Sequence, residues 1–250
     1  MTGTPHASVI VTGAGSGIGR AIAGALLTAG FGVTLAGRRG APLHETATGD
    51  PHALVAETDI TDAAQVERLI ALHVERFGRL DVLVNNAGVF GPSADIGELT
   101  SADWESTLAV NLTGAMLCAG AAFRQMMTQS PAGGRIINNG SISAQTPRPR
   151  SVAYTTTKHA IAGLTKSIEL DGRPHRITAT QLDIGNARTE LIGRLVDDGA
   201  LQADGSRRPE PTMDAAHVAD LVVQLARTPL EVSVPQLTVT AAGMPYIGRG

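Results

Sequence analysis

The chain carries one cysteine, Cys118, in 250 residues. A single thiol can neither close an intrachain disulfide nor supply a cysteine metal cluster. Cys118 lies in an apolar, helix-patterned stretch and reads as a buried structural thiol. Histidine offers no metal motif either: none of the seven falls in an H-E-x-x-H pattern, so no catalytic metal is expected. An excess of one charge is also missing. The net charge of −3 points to neither nucleic acid nor a membrane surface as partner. The amino terminus shows no basic region followed by an apolar core and a cleavage site, so secretion is not expected and the cytoplasm is the default. The nearest approach to a membrane span, Leu108 to Met127, is broken by Asn111, Thr113, Arg124 and Gln125, and a buried helix fits it better. Neither an internal repeat nor a low-complexity tract is present.

What is present is apolar material in a regular rhythm. At 43% hydrophobic residues the chain can build a substantial core, and residues 1–250 are expected to form one domain. Short β-type runs occur at Ala7–Val11, Gly32–Leu35, Ala53–Ala56, Asp81–Val84, Arg135–Asn138, Arg176–Leu182 and Gln236–Thr240. Helical patterns lie between them, near Gly17–Ala29, Asp62–Phe77, Ser101–Thr128, Val152–Leu170 and Asp214–Arg227. Alternation of this kind predicts an α/β fold, a doubly wound parallel sheet of about seven strands with helices on both faces. Thr100 and Asp103 read as a capping pair for the longest helix. Thr189 to Pro211 breaks the rhythm with charges, glycines and two prolines, and is expected to be a substrate-binding loop.

The first strand runs into Thr12-Gly13-Ala14-Gly15-Ser16-Gly17-Ile18-Gly19, and a helix pattern follows. Glycines let backbone N–H groups approach phosphate oxygens, and the helix offers its positive end to a pyrophosphate. Gly13, Ser16, Gly17, Ile18 and Gly19 are therefore candidate cofactor contacts. The spacing is Gly-xxx-Gly-x-Gly rather than G-x-G-x-x-G. The second strand ends Ala36-Gly37-Arg38-Arg39, where an acidic residue would favour NAD. Glycine with two arginines after it tilts the expectation toward NADP, read by Arg38 and Arg39.

Tyr154 and Lys158 stand four apart on a helix pattern and so share a face. A free tyrosine, with a pKa of about 10, is a poor base near neutrality, and a neighbouring cation lowers that value. A tyrosine tuned in this way can exchange a proton with an alcohol or carbonyl while hydride moves to or from nicotinamide.

With its Thr12–Gly19 turn, its Asn85-Asn86-Ala87-Gly88 run, its Tyr154/Lys158 pair and Ser141 thirteen positions before the tyrosine, the chain resembles the short-chain dehydrogenase/reductase family. The likeness runs from Val9 to about Thr240, and Asn111 in Val110-Asn111-Leu112 matches the family's helix asparagine. The resemblance implies a single-domain Rossmann fold and an oxidoreductase acting on CH–OH groups with NAD or NADP. It implies Tyr154 as general acid/base, Lys158 lowering its pKa and bonding the nicotinamide ribose, Ser141 orienting substrate, and Asn111 supporting a proton-relay water. Asp59 with Ile60 would meet the adenine, Asn86, Ala87 and Gly88 would line the cofactor, and Gly185 with Thr189 would reach the nicotinamide carboxamide. A homotetramer or homodimer is implied as well. Asn111-Leu112-Thr113 and Asn139-Gly140-Ser141 fit a glycosylation sequon, but both are expected inside the site.

Two departures stand out. Ile184 replaces the proline that the family places before Gly185, and Asp183 adds a carboxylate near the pocket, either touching substrate or capping a turn. The tail ends Ala242-Gly243-Met244-Pro245-Tyr246-Ile247-Gly248-Arg249-Gly250 instead of the usual Asp-Gly-Gly. Two other readings compete: a dinucleotide-binding sensor that has lost catalysis, and an epimerase or dehydratase working through a transient keto intermediate. Substrate identity is not readable from these residues.

Overall fold

The computed structural model describes residues 7–188 and 199–247. Seven strands form one sheet: β1 (Ser8–Thr12), β2 (Gly32–Gly37), β3 (Ala53–Glu57), β4 (Val82–Asn85), β5 (Gly134–Asn139), β6 (Ile177–Gly185) and β7 (Gln236–Thr240). Every pairing in it is parallel, and the order is β3-β2-β1-β4-β5-β6-β7. The direction of strand addition reverses between β1 and β4. Open α/β sheets bind ligands in the crevice outside the carboxyl ends of the strands at such a reversal.

Side chains alternate across the strands and so sort themselves into two cores. Val9, Val11, Val33, Leu35, Val82 and Val84 face one way, against Ile22 and Leu26 of α1 (Gly17–Thr28) and Val218 and Val222 of the carboxyl-terminal helix, Ala215–Arg227. Ile10, Leu83 and Ile136 face the other way, against α3 (Ala63–Phe77), α5 (Ala115–Thr128) and α6 (Val152–Gly172). Each fully buried aliphatic side chain of this size contributes about 1.5–3 kcal/mol. Cys118 belongs to the second core, and burial pushes its thiol up to about 12.

One helix lies outside the sequence expectation. α2 (Gly40–Ala47) is a short helix with Pro42 in its first turn, where a missing N–H is tolerated. The stretch expected as one long helix is continuous but not uniform. α4 (Ser101–Leu108) passes through a π-type turn at Ala109–Gly114 into α5. A turn of that kind inserts an extra residue and is frequent at functional sites. A side chain at Gly114 would run into Ile60, which explains the glycine at the turn's close. Thr100 caps α4 as expected, its Oγ1 accepting from Asp103 N at 3.1 Å. By length and composition Ser101–Thr128 could cross a membrane, yet Cys118, Ala119, Ala122 and Met126 pack it onto the sheet. The carboxyl-terminal helix Ala215–Arg227 is α7, capped by Asp214.

His73 of α3 is fully buried, with Nδ1 2.7 Å from Thr34 Oγ1 and Nε2 3.1 Å from Ser8 Oγ. Burial pulls its pKa down to about 4, against the weaker opposing pull of the Arg79 backbone carbonyl and the charge of Asp81. The unfolded chain therefore takes up this proton first as pH falls, and stability declines between pH 6.5 and 4. Over that window wild type is expected to lose about 3 kcal/mol more than His73→Gln. Denaturant titrations at the two pH values check this, and parallel losses in both proteins would assign the proton uptake elsewhere.

Candidate active site

The crevice begins at the turn after β1. Gly13 has φ 67°, and a Cβ there would lie 2.9 Å from Ala87 Cα. Gly17 has φ 52°, and a side chain on Gly19 would strike the Gly13 carbonyl oxygen. The turn can close this tightly only with glycine at these positions. Arg20 clamps it from outside, Nη2 donating to Gly15 O at 2.7 Å. Ser16 precedes α1 without a side-chain cap bond, which leaves the first N–H groups of the helix for an outside acceptor. A dinucleotide pyrophosphate fits this bare, glycine-walled helix end.

The wall opposite is the segment after β4. Asn86 N and Ala87 N both donate to Thr12 Oγ1 at 3.0 Å, and Asn86 Nδ2 donates to Thr12 O at 2.9 Å. Asn139 Nδ2 donates to Asn86 Oδ1 at 2.9 Å. The Asn86 side chain thus joins the ends of β1, β4 and β5, while Gly88 lies close enough to Asn111 that a Cβ would sit 3.2 Å from its Oδ1.

Beyond β2, Arg38 and Arg39 are exposed, and neither makes a hydrogen bond or ion pair among the described residues. Asp59 follows β3, its Oδ1 accepting from Thr61 N and Oγ1 at 3.0 and 2.8 Å. Those bonds, with a smaller share from the Arg38 charge, hold its carboxyl below the usual range. Ile60 is buried beside Gly114.

The other half of the site sits on α6. Tyr154 packs against Phe90 with ring centroids 4.8 Å apart, and Lys158 Nζ lies 5.5 Å from the Tyr154 ring. Burial pushes the Tyr154 phenol up, opposed by a hydrogen bond with Ser141 and by the charge of Arg148. Lys158 is pulled down to about 8, again by burial, with Asp183 opposing. Its Nζ donates to the Asn139 carbonyl at 2.6 Å. Asn111, at the π-type turn, is fixed at three points: Nδ2 to Val89 O at 2.7 Å, Oδ1 from Val89 N at 2.8 Å, and Nδ2 to Thr157 Oγ1 at 3.2 Å.

Gly185 ends β6 against Ile142 and Met244, where a Cβ would lie 3.1 Å and 3.0 Å from their side chains. Thr189 lies outside the described residues. Asp183 is fully buried beneath Ser141, its Oδ1 accepting from Ser141 N at 3.0 Å. Of the loop expected at 189–211, the described part holds a short hairpin in which Ala200–Leu201 pairs antiparallel with Arg207–Arg208. It is clasped to the site by Arg148, whose Nη2 and Nη1 reach Glu210 at 2.6 and 3.2 Å. Asn186 Nδ2 joins the same carboxylate at 2.8 Å. Burial would raise Glu210, but these bonds overcome it and pull the group down to about 2.

Sequence reasoning did not find Phe90, Arg148, Glu210 or the Asn139 carbonyl. The Pro147-Arg148-Pro149 run was the one available signal among them, since an arginine between two prolines is held on a stiff loop.

A glycine-walled helix terminus at a strand-order reversal, facing a tyrosine, a serine and a lysine, defines an oxidoreductase that interconverts alcohols and carbonyls with a nicotinamide dinucleotide. Residues 7–199 match the short chain dehydrogenase family, and the chain belongs to it. The chain is 37% identical over 188 residues to the short chain dehydrogenase/reductase astE of Aspergillus oryzae, covering 73% of this chain and 71% of that protein. Among solved structures it superimposes on a 3-ketoacyl-(acyl-carrier-protein) reductase from Brucella melitensis complexed with NADH, with a TM-score of 0.84, 22% identity, and 96% and 99% of the two chains covered. It also matches an actinorhodin polyketide ketoreductase variant with NADPH at a TM-score of 0.82 and 26% identity, over 94% and 96% of the chains.

Proposed function

We propose that the chain reduces a carbonyl or oxidises the matching alcohol with Tyr154 as general acid/base, and that NADP is its preferred dinucleotide. When bound, the dinucleotide supplies or accepts the hydride. In reduction, the Tyr154 hydroxyl gives its proton to the substrate oxygen; in oxidation, the phenolate takes it back. Ser141 donates a hydrogen bond to that oxygen and holds it against the phenol. Lys158 keeps a positive charge beside the phenol and lowers the cost of the phenolate. Asn111, fixed to Val89 and Thr157, supports the water through which the proton is replaced. What supports this reading is that Lys158 Nζ lies 5.5 Å from the centre of the Tyr154 ring and donates to the carbonyl of Asn139, two residues before Ser141.

Gly13, Ser16, Gly17, Ile18 and Gly19 would hold the pyrophosphate, Asp59 and Ile60 the adenine, and Asn86, Ala87, Gly88, Gly185 and Thr189 the nicotinamide half. The chain works as one domain in which the 189–211 segment serves substrate binding, a role supported by the Arg148–Glu210 clasp. A cytoplasmic homotetramer or homodimer remains the expectation from the family likeness. Following nicotinamide absorbance across a panel of alcohols and carbonyls with both dinucleotides tests the reading, and silence with every pair would remove it.

The NADP preference rests on the exposed guanidinium groups of Arg38 and Arg39 at the end of β2, which suit a 2′-phosphate. Arg38→Ala is expected to raise KM for NADPH by about tenfold or more and leave NADH within about twofold. An unchanged ratio of the two would show that the arginines do not read the phosphate.

A further inference from the structure

The sequence places an acid at position 183, and the fold buries it completely. Its carboxylate lies at the hub of a polar cluster drawn from three parts of the chain. Ser141 N donates to Oδ1 at 3.0 Å, Gln181 Nε2 to Oδ1 at 2.7 Å, Gln236 Nε2 to Oδ2 at 2.8 Å and Gln145 Nε2 to Oδ2 at 3.4 Å. Gln145 in turn accepts from Tyr246 Oη at 2.6 Å, which ties the carboxyl-terminal tail to the same hub. Gly140 makes room for it, since a side chain there would overlap Asp183 Oδ1.

A buried carboxylate is costly to desolvate, and apolar replacements for buried charges are often neutral or stabilising. Three glutamines and a glycine arranged around one acid therefore call for more than packing. The backbone path supplies a reason. Lys158 grips the segment Asn139–Gly140–Ser141 by its first carbonyl at 2.6 Å, and Asp183 grips it by its last N–H at 3.0 Å. A cation and an anion thus hold the short stretch that presents the Ser141 hydroxyl to Tyr154.

We propose that Asp183 is a positioning residue of the reaction, which fixes the Ser141 turn and sets the negative charge that balances Lys158 beside Tyr154. The inference rests on the acid/base role of Tyr154 and deepens it. The groups acting on that phenol are Lys158 from α6 itself, Arg148 and Ser141 from the β5–α6 connection, and Asp183 from β6. Asp183 makes proton loss from Tyr154 harder and keeps the buried Lys158 charged. It also acts on Tyr246 in the same sense.

Removing the charge takes away a direct opponent of proton loss from Tyr154, and that direct effect moves the tyrosine's titration downward. Asp183→Asn is expected to lower the pH midpoint of the kcat/KM profile and to reduce kcat by about tenfold, with KM for the dinucleotide within about twofold. The chain has two tyrosines, so in a Tyr246→Phe background the phenolate absorbance of Tyr154 can be titrated directly, with no turnover required. The same downward movement is expected there in Asp183→Asn and Asp183→Ala. Superimposable pH profiles and absorbance titrations, with only thermal stability altered, would make Asp183 structural and overturn the proposal. Failure of both variants to fold would do the same. A wild-type protein without nicotinamide-coupled turnover would defeat the oxidoreductase reading instead, while the absorbance titration would still decide the part played by Asp183.

Discussion

Tyr154→Phe is expected to lower kcat by about 10³-fold and leave the dinucleotide Kd within about twofold. The substitution removes one oxygen and no packing. The ring keeps its tilted contact with Phe90 at 4.8 Å, and Lys158 Nζ keeps its place 5.5 Å from the ring, because its hydrogen bond goes to Asn139 O. What disappears is the proton that the substrate oxygen gains or loses, together with the polar interaction of the phenol with Ser141. Loss of that interaction costs at most about 1 kcal/mol, or about 2–4 °C in melting temperature for a chain of this size. Steady-state rates and dinucleotide titrations on the same preparation separate the two effects. Turnover near the wild-type rate would take the tyrosine out of the mechanism, and a lost dinucleotide affinity would mean that the hydroxyl holds the dinucleotide as well as the proton.

The five inner strands were readable because each is a short, largely apolar run buried on both faces, and such runs stand out without knowledge of their neighbours; the half-exposed edge strands β3 and β7 showed as short β-type runs. Every one of the seven was expected within a few residues of where it lies. α2 escaped because eight residues with a proline leave too little periodicity to register. The π-type turn at Ala109–Gly114 escaped for a different reason. Its cause is tertiary: Ile60 presses on Gly114 and Val89 holds Asn111, and neither contact is local in sequence. The same divide runs through the site. Tyr154 and Lys158 share one helix face and so declare themselves by spacing, whereas Asp183 acquires its place only when β5, β6 and β7 assemble around it. Arg148 and Glu210 are 62 positions apart, and no local pattern marks them as partners. The Asn139 carbonyl that receives Lys158 is backbone and carries no residue signature at all.

The turn after β1 allows the sharpest test of how far the cofactor crevice depends on bare backbone. Gly19→Ala would place a methyl against the Gly13 carbonyl and within 2.5 Å of Asn86 Nδ2, with no flexible side-chain end on the first of these to move aside. Overpacking of this kind costs about 2–3 kcal/mol, which lowers the melting temperature by about 5–10 °C. The collision also disturbs the bond from Asn86 Nδ2 to Thr12 O, so the wall formed by β4 shifts with the turn. Dinucleotide affinity should therefore fall by about tenfold or more, beyond what stability alone explains. Gly24→Ala, one turn and a half along the same helix, meets nothing within 4 Å and should behave in the opposite way. There the lost backbone freedom of the unfolded chain stabilises by about 0.5–1 kcal/mol, and affinity should stay put. Equal, small effects from both substitutions would mean that the turn can open to admit a side chain, and that the glycine wall is not what shapes the pyrophosphate end.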